Sequence, residues 1–333
     1  MKKSDVIKTL LNHRYVYTEN TSGSAFAPAN IALCKYWGKR DIELNLPVTS
    51  SLSVSLGEKG AHTTVSLINA SEDKIRINEE DITLDTQIAK RLIEFLDLFR
   101  SNTEMHFAID TKINIPMSAG LASSACSFAA LIQALDQLFS WQLDRINLSI
   151  LARLGSGSAC RSLWDGFVKW HAGKEEDGMD SFAELLPYEW PHLCVGLLVI
   201  SDQPKPISSR EAMQKTVNTS CYYKSWPEKV KTDLAVLQEA IASRDFDLFG
   251  SVAESNALAM HASMLTANPP ILYWLPETVA MMHQIWKKRA EGLPIYFTQD
   301  AGPNLKLLFL KTDIEQVKKT FPEIKIIMPF EKH

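Results

Sequence analysis

The chain has 333 residues, of which 46% are hydrophobic and 22% are charged, and its formal net charge is −4. This length and composition are typical of a globular protein with a sizeable core, built as one large domain or two lobes. The weak acidic balance disfavours a nucleic-acid surface, although a local basic pocket is compatible with it. The longest apolar run, near residues 193–200, is far too short to cross a membrane and predicts a buried strand.

The N-terminal sequence and the cysteines both bear on the cellular location of the protein. The N-terminus begins with basic residues, but no apolar run follows them, so we expect no secretory signal. The five cysteines include no CxxC pair, and an odd number of them favours reduced thiols in a cytoplasmic protein. The eight histidines show no metal-ligand spacing. We expect neither a nucleic-acid partner nor a membrane partner.

The first half of the chain is predicted to be rich in strands. Residues 63–68 and 112–115 are typical of strands, and residues 46–55 predict a strand rich in hydroxyl groups. Helical spacing of apolar residues predicts helices at 88–99 and 124–139. The second helix is apolar almost all round, so we expect it to be buried. A polar break at 173–178 divides the chain into lobes of residues 1–180 and 181–333.

The second half is predicted to mix strands and helices. After the strand at 193–200, helices are predicted at 228–242, 246–264 and 277–291. The chain ends with strands at 295–298, 306–310 and 324–328, and with a helix at 314–321. This order predicts an α+β lobe around an antiparallel sheet.

Residues 116–126 form a loop of small residues that runs directly into the predicted helix at 124–139. Backbone N–H groups can crowd around an anion in such a loop, and the helix start adds a partial positive charge. The loop is not a Walker motif, because no Gly-Lys-Ser/Thr follows its glycine. It predicts a phosphate site made of Ser118, Ala119, Gly120, Leu121, Ala122, Ser123 and Ser124. The two serines are also ordinary helix N-caps, whereas a functional hydroxyl there would contact Mg²⁺ or a phosphate oxygen.

Residues 27–41 place Lys35, Lys39 and Arg40 among aromatic residues and a glycine. The simpler interpretation is a strand with a solvated basic end. The alternative is a substrate site in which the strand holds cations in fixed positions for anionic groups.

Residues 153–161 carry two glycines and two serines between an arginine at each end. Gly155 and Gly157 permit a close backbone approach. Ser156, Ser158 and Arg161 supply donors for a carboxylate or a diphosphate. A plain Ser/Gly turn would explain the glycines but not the arginine.

Residues 296–304 place Asp300 at the end of a predicted strand, before a Gly-Pro turn. An aspartate in this position is often only a turn former. It is also where a carboxylate would be presented rigidly to a substrate hydroxyl.

These four segments, in this order, resemble the diphosphomevalonate decarboxylase family of the GHMP superfamily. The resemblance covers residues 27–308; the segments 27–41, 155–161 and 300–304 are specific to the family, while the loop at 116–126 is shared with the whole kinase superfamily. It implies a GHMP-kinase-like, two-lobed α+β fold around a deep cleft, with an N-terminal lobe like ribosomal protein S5 domain 2 and a ferredoxin-like C-terminal lobe. It also implies ATP and Mg²⁺ as cofactors, diphosphomevalonate as substrate, and a homodimer.

The resemblance also implies roles for individual residues. Asp300 matches the catalytic aspartate, Lys35 a lysine near the reacting centre, and Arg161 an arginine that holds the substrate carboxylate. Ser124 matches the serine that faces the ATP phosphates and their Mg²⁺. The residues implied near the substrate diphosphate are Tyr36, Lys39, Ser156 and Ser158.

One stretch departs from the family pattern. Family members often carry an arginine shortly before an Asn-Gly pair, whereas here Lys74 stands at that offset and Glu79 replaces the glycine. We expect Lys74 to contact the diphosphate, but lysine lacks the bidentate fork of arginine. A decarboxylase of the monophosphate and a 3-kinase therefore stay open as alternatives, as does a non-catalytic nucleotide-binding protein. Asp300, Lys35 and Arg161 together favour the decarboxylase.

Overall fold

The computed structural model describes residues 1–12, 20–115 and 123–331. In these ranges the α-helices, numbered α1 to α9, are Lys3–Leu11, Gln87–Leu96, Ser123–Phe139, Arg145–Gly155, Ser209–Thr219, Trp226–Ser243, Phe246–Leu265, Pro276–Ala290 and Ile314–Thr320. The strands, numbered β1 to β13, are Ser22–Cys34, Lys39–Asp41, Leu46–Pro47, Ser51–Ile68, Lys74–Ile77, Glu80–Asp81, His106–Ile113, Phe167–Trp170, Ala183–Leu185, Leu193–Leu198, Tyr296–Gln299, Leu305–Leu310 and Lys325–Ile327.

The first half is organised by the long antiparallel pair β1 and β4. Within the described residues the sheet runs in the order β6-β5-β7-β4-β8-β9, and β1 also pairs with β4. The register of this pair shifts between Pro28 and Asn30, as expected where a proline cannot donate to the ladder. Helix α3 packs on β1 and β4. Its apolar residues are buried on nearly every side, which confirms the predicted buried helix.

The second half contains a four-stranded antiparallel sheet in the order β11-β12-β10-β13. This confirms the predicted antiparallel α+β arrangement. One cluster of buried side chains covers it on the side of α8 and α9, with Ile285, Phe297, Leu307, Phe309 and Val317 as members. No helix in the described part of the chain is long and apolar enough to cross a membrane.

The two halves share a hydrophobic core. One buried cluster joins Ile31 and Leu33 of β1 to Phe249 and Met260 of α7 and to Leu308 of β12. Strand β9 still pairs with β8 of the first sheet, whereas β10 begins the second. We therefore propose that the lobe boundary falls between positions 186 and 192, a few residues after the predicted division at 180 and 181.

Several elements differ from the sequence-based expectations. The predicted strand at 112–115 is the end of β7, which begins at His106 because residues 106–111 alternate between buried and half-buried positions. The predicted strand at 46–55 is broken at 48–50 between β3 and β4. Helices α1, α4 and α5 were not predicted. The Ser/Gly segment at 153–161 is the end of α4 followed by a 3-10 turn at Gly157–Arg161.

Candidate active site

The candidate site lies where the end of β1 meets the turn after β11. Lys35 follows β1 and Asp300 follows β11, and Lys35 Nζ lies 2.8 Å from Asp300 Oδ1. The lysine side chain is 2% exposed and the aspartate side chain 26%, so the carboxylate is the member that opens to solvent. The structure thus brings together two residues that the sequence predicted for the reacting centre.

A second cation holds the other oxygen of the same carboxylate. Lys306 Nζ, from β12, lies 3.3 Å from Asp300 Oδ2. Burial alone would raise the pKa of Asp300, but Lys35 and Lys306 together hold that pKa well below its usual range. Asp300 is therefore ionised at every pH at which the protein would work.

Lys35 is fixed from three directions. Its Nζ also donates to the carbonyl of Ala32 at 2.7 Å, and its backbone N–H donates to Asn256 Oδ1 at 2.8 Å. The amide of Asn256 in turn donates to Asp233 at 2.7 Å. Burial lowers the pKa of Lys35 to about 8, although Asp300 opposes the shift. The proton on Lys35 is thus easily lost just above neutral pH.

The backbone of the turn that carries Asp300 is clamped as well. His261 Nε2 lies 3.1 Å from the carbonyl oxygen of Asp300, and burial lowers the pKa of His261 to about 3. The imidazole is therefore neutral and donates its Nε2–H. It stacks on Trp274, whose indole N–H donates to Gln299 at 2.9 Å. Asn304 closes the turn by bonding the backbone of Ser201.

Arg161 is a buried cation whose hydrogen-bond partners, among the described residues, are neutral side chains. It is 3% exposed, and it donates to Ser51 Oγ at 2.6 Å and to Asn30 Oδ1 at 3.3 Å. Its guanidinium lies over the ring of Trp170 at 5.8 Å. In the described part of the chain no carboxylate forms an ion pair with it, and burial lowers its pKa. A buried guanidinium of this kind is stabilised by an anionic ligand.

Tyr36 packs against the turn that carries the predicted serines. A β-carbon at Gly157 would come within 2.8 Å of the Tyr36 hydroxyl, which confirms that this glycine permits a close approach. Ser156 and Ser158 flank it and are half-buried. Among the described residues, the buried hydroxyls of Tyr36 and Ser53 have no hydrogen-bond partner. Hydroxyls left in this way are available to a ligand.

Lys39 lies in a region of high positive charge. Its Nζ donates to Asn45 Oδ1 at 2.6 Å, and burial lowers its pKa to about 8, with Arg210, Lys3 and Arg91 adding to the effect. The sequence predicted Lys39 but not the three neighbours, because they come from α1, α2 and the start of α5.

Lys74 lies two strands away from β4 in the first sheet. It is exposed on β5, its register partner is Ala108, and Ala108 faces Ser66 near the far end of β4 from Ser51. Glu79, which replaces the glycine of the family pattern, lies in a tight turn. Asn78 and Glu79 form the two-residue turn of the β5–β6 hairpin with φ of +49° and +70°. Such turns favour Asn-Gly.

The predicted phosphate loop is described only at its end. Ser118, Ala119, Gly120, Leu121 and Ala122 lie outside the described residues, whereas Ser123 and Ser124 begin α3 and are half-buried. Helix α3 packs against the turn at 157–161. A serine hydroxyl at a helix start fits a Mg²⁺ ion that takes its other ligands from phosphates and water. The described residues hold no cluster of three His, Cys, Asp or Glu side chains that could bind a metal alone.

Two residues at the site were missed by sequence reasoning. His261 is not among the predicted site residues, and its contact with Asp300 depends on the folding of α7 against β11. Lys306 stands in an otherwise apolar strand. A single lysine within such a run, six positions after a candidate catalytic aspartate, was the signal that could have found it.

Comparison with protein families identifies both halves of the chain. Residues 27–183 match the diphosphomevalonate decarboxylase-like N-terminal domain, and residues 195–330 match the mevalonate 5-diphosphate decarboxylase C-terminal domain. Diphosphomevalonate decarboxylase mvd1 of Aspergillus fumigatus is 37% identical over 336 residues, which cover 93% of this chain and 81% of that protein.

Solved structures agree with the sequence relatives. A structure described as MDDEF in complex with MVAPP, AMPPCP and magnesium is 39% identical, covers 93% of this chain and 98% of its own, and has a TM-score of 0.87. The mevalonate diphosphate decarboxylase from Enterococcus faecalis is 38% identical with the same coverage and a TM-score of 0.86. These likenesses confirm the predicted two-lobed GHMP fold. With both domain models matched in order along the chain, this protein belongs to the diphosphomevalonate decarboxylase family.

Proposed function

We propose that the chain catalyses the ATP-dependent decarboxylation of (R)-5-diphosphomevalonate to isopentenyl diphosphate, with release of ADP, phosphate and CO₂. One observation carries this proposal. A partly open carboxylate, Asp300, is held by two buried lysines near Arg161, a buried cation with which no carboxylate of the described chain forms an ion pair. A substrate with a hydroxyl beside a carboxylate could place its hydroxyl at Asp300 and its carboxylate at Arg161.

The first step concerns the substrate hydroxyl. Hydroxide is a poor leaving group, so the tertiary alcohol must become a phosphate ester. Asp300 orients this hydroxyl and accepts its proton as the oxygen–phosphorus bond forms and the bond from phosphorus to the ADP oxygen breaks. A positioned base contributes typically about 10²–10⁴-fold. Because the transition state of phosphoryl transfer is loose, positioning and charge stabilisation dominate its catalysis.

Lys35 supplies part of that stabilisation. Its Nζ is fixed by Asp300 and by the Ala32 carbonyl, so its charge is already in place when the phosphoryl group arrives. When MgATP is bound, Mg²⁺ neutralises phosphate charge, and Ser124 with the loop at 116–122 would hold the nucleotide.

The second step removes phosphate and CO₂. Phosphate leaves with its bonding electrons, cationic character develops at the tertiary carbon, and the carbon–carboxylate bond then breaks so that its electrons form the double bond. The ionised Asp300 stabilises the developing cation. Arg161 positions the carboxylate, and its bonds to Ser51 and Asn30 fix the guanidinium in place.

The substrate diphosphate would lie at the basic end of the site. We propose that it contacts Lys39, the unpartnered hydroxyl of Tyr36, and the turn with Ser156 and Ser158. The contact of Lys74 with the diphosphate stays a prediction. We also propose a homodimer located in the cytoplasm, which is supported by the family resemblance.

The test is a coupled assay with Mg-ATP that follows ADP and isopentenyl diphosphate together. Equal yields from 5-diphosphomevalonate are expected, with slower turnover of the 5-monophosphate. ADP with a stable 3-phosphorylated acid would make the protein a kinase. Turnover of the monophosphate alone would identify the related decarboxylase, and no ADP from either acid would favour a non-catalytic protein.

A further inference from the structure

Lys306 is buried in the centre of the second sheet. It lies in β12 between Leu305 and Leu307, and its side chain is 2% exposed. In the register of the sheet it pairs with Leu197 of β10 and with Thr298 of β11. Directly opposed residues lie on the same face of a sheet, and Thr298 bonds across to Ala32 of the first half. Lys306 is therefore on the face that meets β1.

Each oxygen of the Asp300 carboxylate contacts the ammonium group of a different lysine. Lys35 binds Oδ1 at 2.8 Å, whereas Lys306 binds Oδ2 at 3.3 Å. A carboxylate offers about four lone-pair positions, so an acceptor position is left on each oxygen. Since both lysines are buried and the aspartate is 26% exposed, the free positions are directed to the open side.

We propose that Lys306 is a positioning residue that fixes the plane of the Asp300 carboxylate for the substrate hydroxyl. The proposal rests on the function proposed above, because it assigns Asp300 the task of orienting that hydroxyl. A carboxylate held at one oxygen alone can rotate about the bond to its β-carbon. Held at both oxygens, it presents its remaining lone pairs in one direction.

Lys306 also sets the charge of the cluster. Lys35 and Asp300 alone would be a neutral pair, whereas two lysines and one aspartate leave one positive charge in excess. An excess positive charge next to the carboxylate attracts the anionic phosphoryl group as it arrives, whereas a neutral pair would not. Removal of Lys306 would therefore affect both the orientation of Asp300 and the charge around it.

The pH profile of the site depends on every ionisable group near Asp300. Besides Lys35 and Lys306, these are Arg161 from the 3-10 turn, His261 from α7 and Lys205 from the segment before α5. His261, with a pKa of about 3, is neutral at neutral pH, and burial lowers the pKa of Arg161. Because Asp300 stays ionised throughout the working range, a shift of the alkaline limb in a Lys306 variant is assigned to Lys35.

The test replaces Lys306 with methionine, which keeps the length of the side chain and removes its charge. We expect kcat to fall by on the order of 10²-fold with little change in the KM of either substrate, because the loss is one of orientation. The alkaline limb of the kcat/KM profile is expected to move to higher pH, because Lys306 lowers the pKa of its neighbour Lys35. Lys306→Arg keeps a cation and is expected to recover part of kcat.

Leu307→Ala is the matched control. Leu307 is the next residue of β12, is fully buried, and belongs to the core on the other side of the sheet. It should lower the melting temperature without moving the pH profile. If Lys306→Met does not fold, Lys306→Gln keeps a polar head and carries the same expectation.

Three results would overturn the proposal. They are an unchanged kcat in Lys306→Met, a loss of kcat with an unmoved alkaline limb, and an arginine variant as slow as the methionine variant. Failure of the wild-type protein to form isopentenyl diphosphate would instead remove the proposed function. The two failures are thereby distinguished, because one concerns the wild-type assay and the other the ratio of variant to wild type.

Discussion

Lys35 and Thr298 donate hydrogen bonds to the same oxygen, the backbone carbonyl of Ala32, at 2.7 and 3.2 Å. Lys35 follows β1 of the first sheet, whereas Thr298 lies in β11 of the second. Asp300 comes two residues after Thr298. The shared acceptor therefore fixes the strand that carries the aspartate against the segment that carries its lysine. The ion pair of the site is a consequence of how the two halves of the chain are joined.

Arg161→Ala is expected to act on the acid substrate alone. Loss of charged hydrogen bonds to the carboxylate should raise the KM for diphosphomevalonate by about 10–100-fold, with the KM for ATP nearly unchanged. Steady-state kinetics with each substrate varied in turn measures both values. Arg145→Ala is the matched control, because Arg145 donates to the carbonyl of Leu163 and should leave both constants unchanged. A collapse of nucleotide affinity in Arg161→Ala would contradict the placement.

Loss of the Lys35 proton should limit activity at alkaline pH. The pKa of Lys35 is lowered to about 8, so the lysine is charged below that pH and neutral above it. We expect kcat/KM for the acid substrate to fall as the pH rises through about 8, since this ratio reports the free enzyme. The pKa of Lys39 is also lowered to about 8, so the profile of Lys39→Met assigns the limb. If the alkaline limb persists in Lys39→Met, it belongs to Lys35. A wild-type profile that stays flat up to pH 9.5 would refute the assignment.

His261 should make stability depend on pH in a defined window. Its folded pKa is about 3, against 6.5 for an ordinary histidine. Between these values the unfolded chain binds a proton that the folded chain does not, so stability is lost as the pH falls from 6.5 towards 3. The effect of Asp300, whose pKa is also depressed, is confined to pH below about 4.

The measurement is urea unfolding at several pH values between 4 and 7. His261→Gln keeps an amide donor for the Asp300 carbonyl but cannot titrate, so its stability should vary less across this window. His283→Asn, at an exposed position of α8, is the control and should follow the wild type. Equal slopes for His261→Gln and wild type would show that His261 is charged in the folded state.

A substitution in the turn between β5 and β6 should stabilise the protein. Glu79 has a φ of +70°, a left-handed conformation that costs a side-chain-bearing residue about 1–2 kcal/mol. Part of this gain is offset by the flexibility of glycine in the unfolded chain, so Glu79→Gly should raise the melting temperature by about 1–3 °C. Asn78→Gly is the contrasting variant, because Asn78 accepts a bond from the N–H of Ile113 and its loss should destabilise. A lower melting temperature for Glu79→Gly would contradict this account of the turn.

Sequence patterns predicted the elements whose signals are local. Helices α2, α3, α6, α7 and α8 were found within a few residues, because apolar residues at helical spacing mark the buried face of each. The strands of the second sheet were found because each is a short apolar run between turns. The break at 48–50 was missed, since the hydroxyl-rich sequence alternates across it. The division of the chain at 180 and 181 stays a prediction.

Residues of the candidate site were predictable where they lie in short sequence motifs. Asp300, Lys35, Arg161 and the turn at 157–161 were singled out by their motifs and Tyr36 by the family resemblance, and their catalytic and binding roles stay predictions. Lys306 and His261 were not, because each depends on a contact between elements far apart in the chain. Lys74 was placed at the diphosphate by its offset in the family pattern, and that contact stays a prediction. The strand register that pairs Lys74 with Ala108 is not visible in the sequence.

The central claim is that Asp300, held by Lys35, couples ATP cleavage to loss of CO₂. Single turnover of carboxyl-labelled diphosphomevalonate with Mg-ATP tests it most directly, in wild type and in Asp300→Asn. Thermal melting of the variant is measured first, because Lys35 and Lys306 lose their counter-charge. We predict one CO₂ for each ADP in wild type, and neither product from a variant that still binds nucleotide. Release of CO₂ and ADP from Asp300→Asn at the wild-type rate would contradict the mechanism.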